Sequence, residues 1–188
     1  MSDLINHQSR SLRFYACGGT AANLLNSHIK DQPMMTDVRA DELYTFVDTG
    51  TANLGGVSPE SVFLVKNPDG KQGSGKDRRR NAANIMAALP EIMRDHKAAD
   101  MNVVIFSTGG GSGSAAGPII LEELLKQGKT VFPIVVGVHS SDKSSENTIK
   151  TFVGLQGIVD RVGRPIDVSY RQNDPAKNYF DTTPCTCS

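Results

Sequence analysis

Residues 107–114 read Ser-Thr-Gly-Gly-Gly-Ser-Gly-Ser, and they stand between two segments that a folded chain has to bury. Before them, residues 102–106 form a β-branched and aromatic run, the composition of a strand covered on both faces. After them, residues 115–127 have the pattern of an apolar helix, stopped by Gly128. A flexible linker does not sit directly between such elements. Glycine admits positive φ and lets an anion approach the main chain with no Cβ in the way. Successive N–H groups then converge on the anion. The start of the next helix adds unpaired amides and the positive end of its dipole. Ser112 and Ser114 supply hydroxyls. A strand, phosphate-gripping turn and helix in this order predict an α/β sheet with its ligand at the carboxyl ends of the strands.

The remaining sequence agrees with that prediction. Strand-like runs occur at residues 12–17, 43–47, 61–66, 131–138 and 166–170, and helix-like runs at 21–30, 81–94 and 148–160. Pro90 falls inside the 81–94 helix and predicts a kink. The alternation implies a Rossmann-like three-layer α/β sandwich with a mostly parallel sheet. One nucleotide-binding domain is expected over residues 11–174, with residues 1–10 flexible and 175–188 a polar tail or the start of a further helix.

Composition narrows the function. Lysine plus arginine equals aspartate plus glutamate, at 20 each, so a dedicated nucleic-acid binder is disfavoured. The basic run Lys76-Asp77-Arg78-Arg79-Arg80 is short enough to be a solvated helix start. Cys17 lies in an apolar run, and Cys185 and Cys187 form a C-x-C pair with no second ligand cluster, so no metal centre is expected. A reducing cytoplasm suits this cysteine usage, and no stretch has the length and apolarity of a membrane span. Residues 70–76 match GxxxxGK, but Asp77 stands where a P-loop needs Ser or Thr for Mg²⁺. The turn at Gly18-Gly19-Thr20 lacks the GxGxxG spacing of a dinucleotide oxidoreductase.

The sequence Gly109-Gly110-Gly111-Ser112-Gly113-Ser114, followed by Ala115-Ala116-Gly117-Pro118, resembles the signature of the tubulin/FtsZ superfamily, with serine in place of the central threonine. The resemblance extends in order along residues 11–174. Gly18-Gly19-Thr20, then Asn23 and Asn26, stand where the family has its first phosphate loop and an asparagine-bearing helix. Asp48-Thr49-Gly50 resembles the segment after the second strand; Asp48 either contacts Mg²⁺ or a water, or caps a turn. Gly73-Ser74-Gly75-Lys76 is placed like the loop that senses the γ-phosphate, with Lys76 and Arg78 as candidate cations. Glu146 and Lys150, four residues apart, occupy a position similar to the family's ribose contacts, or form a surface ion pair. Asn173, followed by Asp174, resembles the pair whose asparagine reads guanine; an amide offers donor and acceptor together.

The resemblance implies binding of GTP or GDP with Mg²⁺, and self-association into a cytoskeletal filament serving division, segregation or positioning. It also implies a central helix, an acidic catalytic loop and a second domain. No candidate for the acidic loop lies within the 188 residues. Weak hydrolysis by the isolated chain is therefore expected, unless a neighbouring copy or a partner chain supplies the loop. The alternative is a non-polymerising nucleotide-binding module.

Overall fold

The computed structural model describes residues 10–31, 40–70, 72–138 and 142–173. Residues 1–9, Asp174 and the tail with Cys185 and Cys187 lie outside the described residues, so the expectations placed on them stay as expectations. In chain order the elements are β1 (Arg10–Cys17), α1 (Gly18–Asp31), β2 (Ala40–Asp48), a 3₁₀ turn (Pro59–Ser61), β3 (Val62–Leu64), α2 (Arg78–Asp95), β4 (Met101–Ser107), α3 (Gly113–Lys126), β5 (Thr130–Gly137), α4 (Asp142–Val162) and β6 (Ser169–Gln172).

The six strands form one sheet in the order β3-β2-β1-β4-β5-β6. Every pairing is parallel, so the sheet is wholly parallel rather than mostly so. The order reverses between β1 and β4. There the loops leaving the two strands diverge to opposite faces and open a crevice at the carboxyl ends.

Alternation along the strands builds two cores. Tyr15, Cys17, Val104, Phe106 and Val135 point to the face covered by α2, α3 and α4, where Ile85, Ile92, Ile120, Leu121, Leu124 and Ile158 meet them. Ala16, Phe46 and Ile105 point to the other face, against Ala21, Ala22 and Leu25 of α1. Each fully buried Leu, Ile or Phe contributes about 1.5–3 kcal/mol, so this packing holds the loops at the sheet's upper edge. Cys17 is a buried free thiol. Among the described residues no helix is long and apolar enough to cross a membrane.

Three local differences from expectation have physical causes. α1 starts at Gly18, without an intervening loop, because Gly18 takes φ +79° and turns the strand straight into the helix. α4 starts at Asp142 rather than near 148. Its first turns are rich in Ser, Asn and Thr, a loop-like composition. Here the hydroxyls bond back to the helix: Thr148 Oγ1 donates to Ser144 O at 2.8 Å and Thr151 Oγ1 to Asn147 O at 2.7 Å. β6 lies at Ser169–Gln172 because register with β5 pairs Ile134 with Ser169, while Ile166 packs below against the core. Pro90 stands within α2, which continues past it to Asp95.

Candidate functional site

The turn after β1 and the turn after β4 meet back to back at the sheet's reversal point. A Cβ added to Gly18 would lie 2.6 Å from Gly113 N, and one added to Gly113 would lie 2.5 Å from the Cys17 carbonyl oxygen. These contacts are with main chain, which cannot swing aside, so glycine is required at both positions for the turns to touch. The juxtaposition sets the N-termini of α1 and α3 side by side, and neither helix has an acidic residue in its first turn. Two positive helix ends therefore face the same space.

That space is a cavity of about 250 Å³. Its walls are the backbone of Gly19, Gly110, Gly111 and Gly113, the hydroxyl residues Thr20, Ser74, Ser107 and Ser112, and the amides of Asn23 and Asn53. Among the described residues no charged side chain lines it. Neutral donors and helix ends are a chemistry suited to a polyanion that brings its own counter-cation.

The glycine turn is closed from within. Ser114 is fully buried, and its hydroxyl donates to the Gly110 carbonyl, so it stands behind the turn rather than in the cavity. Ser112 Oγ lies 2.9 Å from Thr49 Oγ1 and also bonds the Asp48 carboxylate. Asp48 further accepts from the Thr49 amide at 2.7 Å and from Gly50 N. It is only 7% exposed. Burial raises its carboxyl above the usual 3.8, opposed by the bonds from Ser112, Thr49 and Gly50.

Residues 73–76 lie against the glycine turn. A Cβ on Gly111 would come within 2.6 Å of the Ser74 Cβ and 2.8 Å of the Lys76 Cα. The loop hangs on amides from three directions. Asn67 Nδ2 donates to Gly73 O at 3.3 Å, Asn81 Nδ2 to Ser74 O at 2.9 Å, and Asn147 Nδ2 to Lys76 O at 3.2 Å. Gly73 N donates to Thr49 O at 2.8 Å, which joins the loop to the end of β2. Asn81 is wholly buried, with Oδ1 lacking a hydrogen-bond partner, a desolvation cost of about 1–3 kcal/mol. Asp77 caps α2, accepting from Arg80 N at 3.0 Å, and so has a role unrelated to a P-loop. Arg78 turns away from the cavity, and its Nε donates to Ser114 O at 3.1 Å.

The structure thus gathers most of the expected phosphate residues. Gly19, Thr20, Asn23, Ser74, Gly110, Gly111, Ser112 and Gly113 line the cavity, while Gly18 and Gly109 buttress it. Asp48 and Thr49 bond its wall through Ser112. Asn26 is half-buried one turn further along α1, outside the lining. Gly73, Gly75 and Lys76 belong to the loop that carries Ser74, outside the lining themselves. Glu146 and Lys150 form an ion pair on the exposed side of α4. Asn173 closes β6, its main-chain N–H donating to Gly137 O at 3.1 Å. With Arg171 and Gln172 it borders a second cavity of about 340 Å³, walled by Phe14, Leu24, Leu25, Ile105, Ile134 and Val136 on the α1 face. Sequence reasoning missed Asn53, Asn67, Asn81 and Asn147. Only Asn53 had a signal, its place in the segment after β2.

Among the described residues, no group of three or more His, Cys, Asp or Glu could hold a metal ion. Mg²⁺ held chiefly by phosphate oxygens and waters needs only one or two protein carboxylates. Asp48, bonded to the cavity wall, is of the right type to serve such an ion through water.

Comparison with known proteins bears on the same segments. The tubulin/FtsZ family, GTPase domain, matches residues 16–163. The chain is 31% identical over 162 residues to a phage tubulin-like protein of Pseudomonas phage PhiPA3, which covers 86% of this chain and 47% of the relative. It therefore spans about half the length of that relative. A protofilament of TubZ from bacteriophage PhiKZ superposes with a TM-score of 0.78 at 27% identity, over 89% of this chain and 50% of the other. The phage tubulin PhuZ in complex with GDP gives 0.73 at 26% identity, again over 89% and 50%.

Proposed function

The chain belongs to the tubulin/FtsZ family through its GTPase domain, and on that premise we propose that it binds GTP and GDP at the paired glycine turns and serves as a subunit of a nucleotide-dependent filament. The observation that carries this reading is the neutral, hydroxyl- and amide-lined cavity at the reversal of strand order, with two helix N-termini facing it. Phosphates would accept from the backbone amides of residues 18–20 and 109–113 and from the Thr20 and Ser112 hydroxyls. Mg²⁺ would neutralise their charge beside Asp48. Asn173 would meet the base edge, and Glu146 with Lys150 would lie toward the sugar. The filament part is supported by the protofilament form of the PhiKZ relative.

Hydrolysis needs an attacking water positioned in line and a group to orient it. Among the described residues the cavity wall has no carboxylate or histidine for that task, so an acidic loop from a neighbouring copy or a partner chain is proposed to complete the reaction. The isolated chain then turns over GTP slowly.

Competition against a fluorescent guanosine diphosphate, with Mg²⁺ present, tests the binding. GTP and GDP are expected to displace the probe, and ATP and NAD to fail at about hundredfold higher concentration, because a site built to bond a polar base edge rejects a mismatch strongly. Equal displacement by ATP would sink the guanine assignment. In parallel, sedimentation with GTP is expected to pellet the protein; nucleotide binding without pelleting favours the non-polymerising module.

A further inference from the structure

The loop at residues 73–76 contains one unfavourable backbone conformation, and a residue of another element bonds the carbonyl there. Lys76 has φ +54°, the left-handed region, and is the one non-glycine residue with positive φ among those described. Side chains with a Cβ rarely adopt it unless their surroundings enforce it. The carbonyl of Lys76 is bonded by Asn147. It is 4% exposed near the start of α4, and its Nδ2 lies 3.2 Å from Lys76 O, 3.3 Å from Gly109 O and 3.4 Å from Gly110 O. A primary amide has two N–H donors, so these serve three carbonyls from two loops. Ser74 and Lys76 also lie against Gly111.

We propose that Asn147 is a positioning residue for the third phosphate: by fastening the Lys76 carbonyl to those of Gly109 and Gly110, it clamps loop 73–76 onto the glycine turn and sets the preference for tri- over diphosphate. Asn147 does not line the cavity, so it acts through Ser74, which does. The inference rests on the reading that this cavity takes a guanosine polyphosphate.

The test uses the full chain and its Asn147→Ala and Asn147→Asp variants, with affinities for GDP and for the β,γ-imido analogue of GTP. Asn147→Ala is expected to leave GDP affinity within about twofold and to weaken the triphosphate about tenfold, the scale of one lost hydrogen bond. Asn147→Asp has the same shape but opposes a carboxylate to three carbonyl oxygens, so it is expected to weaken the triphosphate more than alanine does. A purely packing role predicts the reverse order, because aspartate preserves volume. If both variants lose both nucleotides equally, or neither, the positioning role is overturned while the binding reading stands. If the unsubstituted chain binds neither nucleotide, the binding reading itself fails, and the inference with it. Should the variants not fold by circular dichroism, the unsubstituted chain decides. Its Asn147 side-chain NH₂ signals are expected to move further with the triphosphate analogue than with GDP, and equal movement overturns the proposal.

Discussion

At Asp48 a carboxylate lies almost out of solvent beside a cavity suited to anions. Burial lifts its carboxyl above 3.8, so the folded chain holds that proton more tightly than the unfolded chain does. Stability therefore falls as pH rises through the interval between the two values, and the full cost is present above the raised value. Asp48→Asn keeps an acceptor for Ser112 and removes the buried charge. It is expected to melt higher than the parent at pH 7, with the advantage disappearing as pH falls to the ordinary aspartate value. A variant less stable than its parent at neutral pH would show that the carboxylate is held for stability rather than for a ligand. The triple glycine was legible in the sequence because spacing and residue type announce a turn, and Asp48 was singled out through the resemblance of its segment. The asparagines were not. An amide's role depends on which carbonyls the tertiary fold sets opposite it, and Asn67, Asn81 and Asn147 carry no periodicity that names their partners. Gly111 was legible as a position intolerant of side chains, but what it excludes there is the neighbouring loop at Ser74 and Lys76.

Helix α3 begins at the cavity and carries Pro118 in its second turn. Proline has no N–H, so the carbonyl four residues earlier loses its helical donor. That carbonyl belongs to Ser114, and it is the one that receives Arg78 Nε from α2. The guanidinium, singled out in the sequence as a possible phosphate contact, instead repairs the helix behind the cavity. Arg78→Met is expected to destabilise the fold by about 1–3 kcal/mol, the cost of an unsatisfied buried acceptor. In a Pro118→Ala background, residue 118 regains an amide for Ser114 O, so the same change should cost clearly less. A double-mutant cycle by urea denaturation reads the difference, and additive effects would contradict the repair. The elements themselves were visible from periodicity and from Gly128. The start of α4 was hidden because its hydroxyls satisfy helix carbonyls instead of competing with the helix.

Across the whole molecule, strand order decides where the ligand can go. Placing β1 beside β4 brings two turns far apart in sequence into main-chain contact, Cys17 and Gly18 against Gly113. Strand–helix alternation predicted a parallel sheet; it did not state the order, which depends on the hand of each crossover. The α1 face carries α1 and an apolar cavity running to Asn173, whereas α2, α3 and α4 cover the other. The proposed function depends on the paired turns receiving phosphate through their amides. Titrating the ¹⁵N-labelled chain with Mg²⁺-GDP tests this directly. The amide signals of Gly19, Thr20, Gly110, Gly111 and Gly113 are expected to shift together and saturate with one nucleotide, while those of Gly128 and Gly163, at the ends of α3 and α4, stay in place. Saturable binding that leaves the five turn amides unmoved would contradict the account.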